Sequence, residues 1–191
     1  MAVAVVLFGI AMGIMIATNQ TAGHVVKHDA LLQDADLTMR QVRAVLEAIV
    51  WPEDLASSPS AGMSVAFAKD SLAVFSSHQP TTTGQFCLYM LGYRTLVGSD
   101  KSAAPGFLRK TPGQADPVRF HALGGTYEAA IEFRYATEVG EDLQPVWKES
   151  LAANERPRLI WVQLEVRDPV NLVVHGVPEP TSVRLQTAIA L

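Results

Sequence analysis

The chain has 191 residues, enough for one domain of ordinary size plus an anchor. Its formal net charge is −4 and its Lys and Arg residues are scattered, which excludes a nucleic-acid surface, because phosphate binding needs clustered cations. Its single cysteine, Cys87, excludes an intrachain disulfide and a cysteine-based metal site.

Residues 2–18 carry no charge and are apolar on every face; the first charged side chain is Lys27, and no proline precedes Pro52. A proline-free segment can run as one helix from lipid into water. The pattern predicts a helix over residues 1–50, roughly 75 Å long at about 1.5 Å per residue. Residues 1–22 read as a transmembrane and assembly helix, 23–50 as its amphipathic continuation, 51–62 as a linker and 63–191 as a β-rich exported head. Ala35, Met39, Val42, Leu46 and Ile49 follow spacings of four, three, four and three, a single seam that would hold helix to head; Leu32, Val45 and Val50 widen it. Asp36 with Arg40 and Arg43 with Glu47 are i,i+4 pairs of opposite charge, worth about 0.3 kcal/mol each. In the apolar part, Gly9 and Gly13 form a small-xxx-small step that lets helices approach closely. An apolar run of about 17 residues is marginal for crossing a hydrocarbon core. No basic residue precedes it and Ala17-Thr18-Asn19 is a poor cleavage site, so a cleaved secretory signal fits badly.

Trp51-Pro52 ends the helix. The period then changes to two. Residues 63–67 and 71–77 predict a hairpin around Lys69-Asp70, and residues 85–95 a strong strand. Residues 97–117, rich in Gly, Pro, Ser, Ala and Lys, read as an exposed insertion loop. Short or half-buried strands are expected at 118–122, 127–135, 146–148, 159–166, 172–175 and 182–191, with a loop at 176–180. Short turns between strands favour antiparallel pairing. The expected fold class is α+β: a long N-terminal helix, apolar in its first half, packed on an antiparallel β-sheet head.

No catalytic constellation emerges. His24 and His28 are i,i+4 but have no third ligand, and read as a polar collar. Gly62-Met63-Ser64-Val65-Ala66 precedes a strand where a nucleophile elbow needs a helix. Glu128 and Glu132 share one strand face and read as solvated. Cys87, inside Phe86-Cys87-Leu88-Tyr89, reads as a buried strand residue. Trp161 alternates with Ile160 and Val162, so it faces either a neighbouring molecule or the core.

The layout resembles type IV pilins and type II secretion pseudopilins. Ile131-Glu132-Phe133-Arg134-Tyr135, then Pro145-Val146-Trp147, then Arg156-Pro157-Arg158-Leu159-Ile160-Trp161-Val162-Gln163-Leu164-Glu165-Val166 resembles the minor pseudopilins of the J type. The resemblance implies a pilin-like fold and a structural, non-enzymatic subunit at or near the tip of a short filament that supports protein secretion. It also implies a single pass through the bacterial inner membrane with the head in the periplasm or outside. The implied partners are I-type and K-type minor pseudopilins and the major pseudopilin. Val5, Leu7, Phe8, Gly9, Met12, Gly13 and Ile16 would carry assembly. Some pseudopilins bind Ca²⁺, and Glu138, Glu141 and Asp142 surround Gly140, but their spacing matches no Ca²⁺ motif, so no cofactor is expected. The family's prepilin leader, with its cleavage-site glycine, methylated phenylalanine and early glutamate, has no counterpart in Met1-Ala2-Val3-Ala4-Val5-Val6-Leu7. Three explanations stay open: a start upstream of Met1, a trimmed chain, or a protein that prepilin peptidase does not process. The alternative function is a membrane-anchored β-domain with a ligand-binding or hydrolytic role unrelated to pilins.

Overall fold

A computed structural model describes residues 2–55, 63–78, 86–93, 106–114, 116–121, 128–140, 144–152, 154–168, 172–174, 177–179 and 182–191. Among the described residues one α-helix, α1 (Ala2–Glu47), precedes eleven strands. Strands β1 (Ala66–Phe67), β2 (Leu72–Ser76), β3 (Cys87–Tyr93), β4 (Gly106–Lys110) and β5 (Val118–His121) form a five-stranded sheet in sequence order. A four-stranded sheet has the order β11-β8-β6-β7, from β6 (Glu128–Val139), β7 (Pro145–Lys148), β8 (Leu159–Arg167) and β11 (Ser182–Ala190). The strands β9 (Leu172–Val174) and β10 (Val177–Glu179) pair as a hairpin. Every strand pairing among the described residues is antiparallel.

The expected α+β, pilin-like class is corrected by this inventory. Among the described residues the structure is mostly antiparallel β-sheet, 46 % strand, and the single helical stretch with side chains described throughout is the 23 residues from Val25 to residue 47. Two stretches read as loops are strands. Residues 97–117 contain β4, whose Phe107 and Leu108 are fully buried between β3 and β5. Residues 176–180 contain β10. Neither has enough apolar alternation to show its pairing; the neighbouring strands impose it.

The helix also ends earlier than Trp51-Pro52 requires. β1 opposes only Leu72 and Ala73 of β2, leaving the far half of that side of β2 open. The chain beyond Glu47 fills the gap. Ile49 bridges Ser76, Val50 N–H donates to Phe75 C=O at 2.9 Å, and Ser77 N–H donates to Ala48 C=O at 3.0 Å. These bonds satisfy groups that a longer helix would have left without partners on β2.

The two larger sheets meet at the Lys69-Asp70 turn. Phe133 N–H on β6 donates to Lys69 C=O at 2.7 Å, and the Tyr135 hydroxyl donates to Ala68 C=O at 2.7 Å. Leu151 pairs back onto Phe67. Gly92 sits on the β3 side of this junction at φ +78°, where the register with β4 shifts. A Cβ there would lie 2.3 Å from Asp70 O, so glycine is what allows β3, the turn and β6 to come together. One continuous core runs under both sheets, from Phe75, Tyr89 and Leu91 to Phe133, Tyr135, Ile160 and Val162.

Candidate functional site

On α1 the buried residues are Leu31, Ala35, Thr38, Val42, Val45 and Leu46. Ala35, Val42 and Leu46 of the expected seam lie in the core, while Met39 and Ile49 are partly buried and pack against it. The buried stripe is rotated relative to that seam: it steps through 31, 35, 38, 42 and 45, and Leu32 is exposed. Thr38 made this hard to see, because a polar residue hides a seam position from apolar periodicity. Leu31, one step N-terminal of the seam, was the available signal.

Toward its start α1 runs past this packed stretch. Met12, Ile14, Met15 and Ile16 are 52–66 % exposed, and a Cβ on Gly13 would meet nothing within 4 Å. Four large apolar side chains in five residues form a surface with no described protein cover, which in water marks a contact for protein or lipid. Of the expected assembly residues, Met12, Gly13 and Ile16 belong to this stretch; the side chains of Val5, Leu7 and Phe8, and the surroundings of Gly9, lie outside what is described. Among the described residues no helix is long and apolar enough to cross a membrane.

The outer face of the four-stranded sheet is polar and internally neutralised. Glu132 lies 3.9 Å from Lys69 and 3.1 Å from Arg134, and Lys69 also meets Glu149 at 2.7 Å. The hydrogen bond with Glu149 raises the Lys69 pKa and lowers that of Glu149. The Arg134 guanidinium lies over the Trp161 ring, 5.0 Å from its centroid, so Trp161 is on the outer face. Glu165 accepts from Arg184 at 2.9 Å and Arg167 at 3.0 Å, and these bonds, Arg184 first, hold its pKa below the usual carboxylate value. A shallow depression of about 250 Å³ lies among Lys69, Asp70, Ala130, Ile131, Glu132, Gln163 and Glu165. Of its three carboxylates, Glu132 and Glu165 have cationic partners and Asp70 accepts from the Ser71 hydroxyl at 3.3 Å, so the depression presents mainly charge pairs.

The other sequence candidates are dispersed. Cys87 is buried, with Thr111 Oγ1 3.8 Å from its sulfur. Ser64 is exposed. The side chains of His24 and Glu128, and residues Gly62, Glu141 and Asp142, lie outside the described residues. Among the described residues no group of three or more His, Cys, Asp or Glu could hold a metal ion. What the fold brings together is an apolar helical extension and a compact β body. No protein family, curated protein or solved structure matches this chain.

Proposed function

We propose that this chain is a structural subunit of a filament of the type II secretion or type IV pilus kind, a minor pseudopilin by role. In this reading α1 joins similar helices of I-type, K-type and major subunits at the bacterial inner membrane, with the β body held in the periplasm or outside. The observation that carries it is the exposed, uncharged stretch around Met12, Gly13, Met15 and Ile16, continuous with a helix whose later turns are buried against the β body. Such a helix transmits a membrane or filament position directly to a folded domain. The ion pairs on the sheet face, Glu132 with Arg134 and Glu165 with Arg184, are of the kind that holds a surface in a fixed shape, which suits a structural role.

The test is co-purification of the full chain with pilin-like proteins encoded beside it. Gly13→Leu adds bulk where the isolated chain has open space, so the body is expected to fold normally while co-assembly is impaired. Normal co-assembly of that variant would remove Gly13 from the interface. Failure of the unaltered chain to bind any such protein would overturn the filament reading.

A further inference from the structure

β11 is the outer strand of the four-stranded sheet, and no described strand pairs with its other side. Its register with β8 runs over nine residues, Ser182 to Ala190, without a bulge. The backbone parity identifies which groups are left over. Leu191 N–H donates to Arg158 C=O at 3.0 Å, and these two residues continue the same register, so the odd-numbered residues of β11 bond to β8. Across the sheet the same parity sends Phe133 N–H of β6 outward to Lys69. The N–H and C=O groups of Arg184, Gln186 and Ala188 therefore point away from the sheet. A long row of such groups is a template for another strand, and proteins normally guard it with proline, lysine, a bulge or an inward charge. β11 has none of these; its one charge, Arg184, points outward and is tied to Glu165.

Beside this edge lies a groove of about 320 Å³ lined by Leu32, Gln33 and Asp36 of α1 and Leu185 of β11. Asp29 shares the helix face of Leu32, Gln33 and Asp36, being three, four and seven residues away. A strand added to β11 would place alternate side chains under this stripe. Apolar ones would meet Leu32 and Leu185, and a basic one would meet Asp29 and Asp36, the latter shared with Arg40 at 2.6 Å. A second copy's β11 fits worse, because its residues on the α1 side, Val183, Leu185, Thr187 and Ile189, bring no cation to Asp29. We infer that β11 accepts an extended strand from a different polypeptide, apolar at alternate positions and carrying a lysine or arginine on the α1 side. The inference stands on the edge and the groove, independently of the filament reading.

Amide hydrogen exchange by NMR on the full chain in detergent tests it, with a synthetic peptide of about nine residues, alternating Val and Thr with one Lys, as the probe. In the free protein the amides of Arg184, Gln186 and Ala188 are expected to exchange about tenfold or more faster than those of Leu185 and Thr187, and to slow by a similar factor with the peptide. Replacing the peptide's Lys by Glu is expected to weaken binding roughly tenfold. Gln186→Pro removes one edge donor and should abolish the protection; peptides N-methylated on the facing edge make the same test without altering the protein. Protection of the even-numbered amides in the free protein would mean that its own chain covers the edge. Protection that grows with protein concentration would mean a second copy. Either outcome, or unchanged exchange at saturating peptide, overturns the inference.

Discussion

Gly92 and Ser76 each hold a junction, one by leaving room for a close backbone approach and the other by a buried hydroxyl bonded on both sides. At Gly92 a methyl group would meet Asp70 O at 2.3 Å and Ile131 Cγ2 at 2.9 Å, on a backbone at φ +78°. Gly92→Ala is expected to cost about 2–4 kcal/mol from left-handed strain and overpacking together, measured by urea unfolding. Ser76 is fully buried; its hydroxyl donates to Val45 C=O at 2.8 Å, a carbonyl at the end of α1, and accepts from His78 N–H at 3.1 Å. Ser76→Ala strands both groups and should cost about 1–3 kcal/mol; a loss near zero would mean that water replaces the hydroxyl. Glu165 links stability to pH. Its folded pKa is depressed by Arg184 and Arg167, so its contribution is fully present above the unfolded value, near 4.5, and is lost as pH falls through the lower folded value. Glu165→Gln is therefore expected to flatten the acid limb of the stability curve, compared by urea titration at about pH 5 and about pH 3. An identical limb in the variant would show that the two arginines do not act on stability through this carboxylate.

At the scale of elements, β4 and α1 separate local from tertiary causes. Gly106-Phe107-Leu108-Arg109-Lys110 carries two adjacent apolar residues in a polar, glycine- and proline-rich stretch, which gives no period to read. It becomes a strand because β3 and β5 offer ladders on both sides, and Phe107 is then buried beside Phe120, with ring centroids 6.2 Å apart. Phe107→Ala should cost about 3–5 kcal/mol by urea unfolding, whereas a true surface loop would tolerate it with almost no change. By contrast β8 was legible throughout, since Ile160, Val162, Leu164 and Val166 alternate with half-buried Leu159, Trp161, Gln163 and Glu165. The helix seam was legible at Ala35, Val42 and Leu46 and obscured at Thr38.

At the scale of the whole molecule, the sheets are coupled through Phe133 to Lys69, Tyr135 to Ala68 and Leu151 to Phe67, and α1 contributes to the core they share. A body joined this way is expected to unfold as one unit. Far-UV circular dichroism and tryptophan fluorescence should give the same urea midpoint, since Trp51 packs near Phe67 on one sheet and Trp161 lies on the other. Two separated midpoints would mean that the sheets are independent. The uncharged stretch at Met12, Ile14, Met15 and Ile16 was legible at this scale because lack of charge is a property of composition. The neutralised sheet face was not, because Lys69 and Glu149 are eighty residues apart in the chain.

The sequence by itself determined that the chain begins with an uncharged helical stretch, that its long alternating segments are strands, and that Ala35, Val42 and Leu46 belong inside. These depend on composition and period, which are local. Tertiary structure decided the balance of the fold toward β, the strand at 106–110, the early end of α1 at Glu47 and the pairing of the two sheets at Gly92. Each of those depends on a backbone partner supplied from elsewhere in the chain, and hydrogen bonds between distant segments leave no periodicity behind.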